Sequence, residues 1–128
     1  MARAGQTFHF LGFVWNIDPA LEMVKRRAPN VNLYVPHWVA LLGMIETNKA
    51  WATNVDLSSP VILVPLPDGI GDLIIDGWHR VLKAHVEEKD YLRAHLLSYQ
   101  EAREVCIEGD YRRRRPKTNV LELRGPRK

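Results

Sequence analysis

Cysteine is nearly absent from this chain: Cys106 stands alone among 128 residues. One thiol excludes an internal disulfide framework and a cysteine-built structural zinc site, and it fits a reducing compartment. Long apolar runs are missing too, and none approaches the length needed to span a bilayer. The opening Met1-Ala2-Arg3-Ala4-Gly5-Gln6 has no apolar core of the kind a secretory leader carries. These absences lead us to expect a cytoplasmic protein without a membrane partner. The histidines, His9, His37, His79, His85 and His95, do not fall at zinc-motif spacings. No Walker-type loop and no Ser-His-Asp order occurs.

Charge is unevenly placed. Residues 1–111 hold ten Lys/Arg against fourteen Asp/Glu, a net of −4, whereas the last seventeen hold eight basic residues and one acid, a net of +7. Arg112-Arg113-Arg114-Arg115-Pro116-Lys117 is a dense basic block. Such a block attracts polyanions by counterion release. It is equally what a solvated, solubilising terminus looks like. With 46% hydrophobic residues, the rest suits one globular domain. We place that domain at 1–111 and a basic tail at 112–128.

Phe8–Ile17 has the Phe, Val and Trp content of a strand. Asp18-Pro19 reads as an N-cap and first helical position, with the helix reaching about Ala28. Val31–Val35 is a candidate strand. Pro36 opens a second helix to about Asn48, on which Trp38, Leu41, Leu42 and Ile45 form an apolar stripe. His37 faces a ligand or caps that helix, and Lys49 reaches a phosphate or is a surface lysine. Val61–Leu66 is a continuous apolar run, as in a strand buried on both faces. Asp68-Gly69 supplies a tight turn, and Leu73–Ile75 returns as the partner strand. A helix over Trp78–Glu88 follows, with Trp78, Val81, Leu82 and His85 on one face. Arg93–Leu97 is a short strand, and Ser98 with Glu101 forms a capping box. Ala102, Val105 and Cys106 are expected on the packed face of the helix it opens. Val120–Leu123 alternates as an edge strand or partner-binding segment.

The junction Asp76-Gly77-Trp78-His79-Arg80 is the most informative segment. A glycine between strand and helix permits a tight turn. The first helical turn then directs its amides outward, and with the helix dipole these suit an anion. His79 and Arg80 add donors and charge matched to phosphate. Trp78 is either buried or a lid over a base. Asp76 serves as general base, as a magnesium ligand beside nucleotide phosphates, or as a turn residue bonded to backbone. Asp72 is a second nearby carboxylate. Ligands in α/β sheets favour such carboxyl ends of strands.

From about Val55 to Glu104 the chain resembles the ParB/sulfiredoxin superfamily. The residues carrying the likeness are Val55-Asp56-Leu57-Ser58-Ser59-Pro60-Val61-Ile62-Leu63-Val64, Leu73-Ile74-Ile75-Asp76-Gly77-Trp78-His79-Arg80-Val81-Leu82-Lys83-Ala84, and Leu92-Arg93-Ala94-His95-Leu96-Leu97-Ser98. The resemblance implies a single α/β (α+β) domain, a small mixed sheet flanked by helices. It further implies a nucleoside triphosphate, ATP or CTP with Mg2+, held at Gly77, Trp78, His79 and Arg80. Sulfiredoxin sets its reactive cysteine between the glycine and the histidine, where this chain has Trp78, so that activity is not expected. The Gly-His-His-Arg pattern of the free-serine-kinase branch is nearer, and Asp76 and His79 are the catalytic candidates for phosphotransfer or hydrolysis. The alternatives are a DNA-binding partition- or nuclease-like module, holding DNA through Arg112, Arg113, Arg114, Arg115 and Lys117, and an interaction protein without catalysis.

Overall fold

A computed structural model describes residues 5–45 and 61–111. Lys49, the segment before Val61, the basic block Arg112–Lys117 and the expected strand Val120–Leu123 lie outside the described residues. Two small sheets and short helices make one α+β domain.

The N-terminal aromatic stretch is a hairpin rather than one strand. β1 (Thr7–Phe10) and β2 (Phe13–Asn16) pair antiparallel, joined by Leu11 and Gly12. Both connecting residues have positive φ, 52° and 84°, the twist a two-residue hairpin needs. β2 pairs on its other side with β7 (Cys106–Glu108). The helix α1 (Ile17–Val24) starts before the expected cap, because Asn16 takes the N-cap position and Pro19 falls inside the first turn, where its missing N–H costs nothing. It ends at Val24 rather than near Ala28, and Ala28 precedes Pro29, which disfavours helical backbone.

The second sheet has the order β3-β6-β4-β5, built from β3 (Val31–Tyr34), β4 (Val61–Pro65), β5 (Asp72–Asp76) and β6 (Tyr91–Leu96). β4 and β6 run parallel, connected through β5 and the helix α3, while the other pairs are antiparallel. Val61–Val64 are buried on both faces, as their unbroken apolar run implies. Asp68 and Gly69 both adopt positive φ in the β4–β5 connection.

Between the sheets' edges the expected long helix is shorter. α2 (Pro36–Val39) passes into a 3-10 turn over Ala40–Met44, and Ile45 is already extended. Gly43, a poor helix interior residue, sits where the helix should have continued. Its stripe residues Trp38, Leu41, Leu42 and Ile45 are half-buried against the core.

α3 (Trp78–Val86) follows β5, and α4 (Tyr99–Val105) follows β6. On α3 the buried residues are Trp78, Val81, Leu82 and Ala84, whereas His85 is exposed and is no part of the packed face. On α4 the capping box forms as its sequence dictates: Ser98 Oγ accepts from the Glu101 amide at 3.1 Å, and Glu101 Oε1 accepts from the Ser98 amide at 3.0 Å. Cys106 lies beyond the helix. It opens β7 opposite Trp15, since Val105-Cys106-Ile107 favours extended backbone and β2 offers a pairing edge. Among the described residues no helix is long and apolar enough to cross a membrane.

The hydrophobic core joins both sheets. Trp15, fully buried, packs between Phe13 and Phe8 with Tyr111 edge-on. Tyr111 donates its hydroxyl to Pro65 O at 2.6 Å, tying the hairpin sheet to β4.

Candidate functional site

Gly77 sets the geometry at the β5–α3 junction. It is the N-cap of α3 with φ 107° and ψ 15°. A Cβ there would collide with Val61 Cγ1 and Cβ on the neighbouring strand and with the Arg80 guanidinium. Glycine is therefore required twice, for its backbone angle and for the closeness of β4. The turn brings the amides of Trp78 and His79 to the start of the helix axis, while Arg80 and Val81 donate back to Gly77 O at 2.9 and 3.1 Å.

The Trp78 indole turns inward. It is buried, meets Trp38 edge-on with centroids 5.9 Å apart, and donates Nε1–H to Ile74 O at 2.9 Å. As a packed core residue it is no lid over a base; what it offers a ligand is its backbone amide. Asp76 ends β5 and Arg80 stands in the first turn of α3, four residues on, with Asp76 Oδ2 3.9 Å from Arg80 Nη1. Burial pushes the Asp76 carboxyl above its ordinary value, against the opposing pull of the Arg80 charge. Burial first, and Arg80 second, push His79 down, which favours a neutral imidazole at neutral pH.

Strand register adds partners that sequence order conceals. Asp76 on β5 pairs with Ile62 on β4, and Ile62 pairs with His95 on β6. Directly paired residues share a face, so Asp76, Ile62 and His95 form one row, roughly 10 Å from end to end at the usual strand spacing. Ile62 and His95 of this row line a cleft of about 510 Å3 whose walls also include Arg80, Arg27, Lys25 and Asp18. His95 is buried, and desolvation together with the Arg27 charge pushes it down. Arg27 is held from the α4 side by Glu101, with Nη1–Oε1 at 3.1 Å and Nη2–Oε2 at 2.6 Å. This bidentate pair keeps Glu101 well below the usual carboxylate range, at about 2. Lys25 contacts Glu22 at 3.4 Å beside the cleft.

Arg80 thus reaches the cleft, while Asp76 and Gly77 support it from the sheet end. Asp72 does not join them: it sits at the opposite end of β5, four residues or about 13 Å away. Among the described residues no three His, Cys, Asp or Glu side chains converge on a common metal position. A magnesium ion here would rest on Asp76 alone with phosphate oxygens as its other ligands, a pattern that magnesium accepts. His37 packs edge-on to Tyr34 at 4.6 Å and is not among the residues lining the cleft. Arg112, Arg113, Arg114, Arg115 and Lys117 lie outside the described residues. The Cys106 thiol donates to Glu108 O at 3.1 Å, and burial pushes its pKa up, the reverse of what a nucleophile needs.

His95 and Arg27 escape a linear reading of the chain. The signal available was the register of Arg93–Leu97 against Val61–Leu66, which becomes usable only once the parallel pairing is known. No protein-family model, curated protein or solved structure matches this chain.

Proposed function

We propose that this protein binds a nucleotide, with its phosphates at the Gly77–Arg80 turn and in the adjoining cleft. The observation that carries the reading is one cleft lined by Arg80, Arg27, Ile62 and His95, with Asp76 next to Ile62 in the strand register and within 3.9 Å of Arg80. Arg80 supplies fixed charge and a planar fork for phosphate oxygens. The amides of Trp78 and His79 supply backbone donors at a helix start. Neutral His95 and His79 add hydrogen bonds without further charge. The likeness of residues 55–104 to the ParB/sulfiredoxin superfamily supports the same assignment, with ATP or CTP and Mg2+ as the ligand.

For phosphoryl transfer or NTP hydrolysis, Asp76 is the group to accept the proton of an attacking hydroxyl or water, since burial brings its pKa toward the working range of a general base. Asp76 also holds Arg80 from behind. The second reading, DNA binding by Arg112–Arg115 and Lys117, is favoured by the concentration of positive charge in the last seventeen residues. A cytoplasmic location belongs with both.

Melting of the protein with ATP, CTP and GTP, with and without magnesium, tests the first reading. The true ligand raises the melting temperature by a few degrees, because binding to the native state stabilises it. Arg80→Ala removes that rise while the unliganded melt stays close to wild type. If no nucleotide shifts the melt, or if Arg80→Ala keeps the shift, the reading fails.

A further inference from the structure

The row of alternate residues along β6 does not stop at His95. Arg93 and Tyr91 follow on the same face, and the antiparallel register sets Asn32 of β3 opposite Arg93 and Tyr34 opposite Tyr91. The two tyrosines form a cross-strand aromatic pair with centroids 5.3 Å apart, yet Tyr34 remains 37% and Tyr91 62% exposed. Their planes are tilted by 47° and His37 stands edge-on to Tyr34, so Tyr91 is the more open of two surface rings that regular pairing keeps out of the core. Arg93 is exposed beside them and has no ion pair among the described residues. It lines, with Asn30 and Asn32, a groove of about 470 Å3, and along β6 it stands between Tyr91 and the cleft residue His95.

We propose that this face of β3 and β6 is a stacking platform for single-stranded nucleic acid, whose backbone continues past Arg93 into the cleft at His95 and Arg80. This rests on the reading of the cleft as a phosphate site. The occupant follows from chemistry. Bases stack on exposed aromatic rings whatever their sequence, and a cation placed between the rings and a phosphate site fits a repeating anion. A duplex keeps its bases stacked on one another and has no flat surface to offer. Asn32 supplies an amide that can bond a base edge or sugar.

Anisotropy titration of the full chain with a short fluorescent oligothymidylate, and with a duplex of equal length, tests the proposal. The basic C-terminal block attracts both polyanions, so the difference between them reads the platform. The single strand binds more tightly than the duplex. Tyr91→Ala weakens it roughly 5- to 150-fold, the range for one lost base stack, whereas Tyr91→Phe keeps most of the affinity. Arg80→Ala weakens it as well. Equal binding of single strand and duplex, or unchanged single-strand binding in Tyr91→Ala at an unchanged melting temperature, overturns the platform. Full single-strand affinity in Arg80→Ala overturns its continuation into the cleft. The nucleotide reading is judged separately, since a melt shift by ATP that survives Tyr91→Ala shows the cleft working without the platform.

Discussion

Gly77 concentrates two constraints in one position. Its φ of 107° is unfavourable for any L side chain, and the approach of Val61 leaves no room for a Cβ. Gly77→Ala therefore costs about 1–3 kcal/mol in backbone strain alone, and displacement of β4 adds to that. Urea denaturation should show a lower midpoint with a similar slope, and under the proposed nucleotide reading the melt shift by its ligand should vanish along with it. An unchanged midpoint would mean that the turn is not held as described. The need for a glycine here was legible from the strand-to-helix pattern. Its second cause was not, because Val61 is sixteen residues away and meets Gly77 only through sheet pairing. Trp78 teaches the same lesson, since its position beside the motif is local but its burial depends on Trp38 from a different helix.

Turns and caps complete within a few residues were readable, and so were the strands near Val31–Val35 and Arg93–Leu97, but which strand pairs with which was not. The Ser98–Glu101 capping box spans three residues, so its chemistry is complete in the sequence. The Asp68-Gly69 turn is likewise self-contained. Leu11-Gly12 hid a hairpin because leucine is a poor marker of positive φ, and Cys106 left its helix because β2 recruits it. Glu101 does double duty at this scale, accepting from the Ser98 amide and from both terminal nitrogens, Nη1 and Nη2, of Arg27. Its folded-state pKa of about 2 lies below the ordinary 4.5, so it contributes stability above pH 4.5 that is lost as pH falls toward 2. Circular dichroism melts across that window should show the wild type losing stability, while Glu101→Gln starts less stable at neutral pH and declines less. Parallel curves for the two proteins would remove Glu101 from this role.

At the scale of the whole molecule, Tyr111 joins two sheets that share no strand. Its hydroxyl meets Pro65 O, its ring stands edge-on to Phe13 and Trp15, and burial pushes its phenol pKa up. Tyr111→Phe keeps the ring and removes the hydrogen bond, so it should cost about 1 kcal/mol, read as a lower denaturation midpoint. A midpoint equal to wild type would show that ring packing alone joins the sheets. The pairing of β2 with β7 has a consequence in time. Trp15 sits opposite Cys106, ninety-one positions further along the chain. During synthesis the hairpin emerges early and waits for almost the entire domain before its outer strand exists. Contacts of such long range form slowly and leave apolar surface open meanwhile. Phe8, Phe10, Phe13 and Trp15, which pack together in the folded domain, are the apolar residues of the hairpin in that interval, which makes the hairpin a place where a nascent-chain chaperone would find its grip.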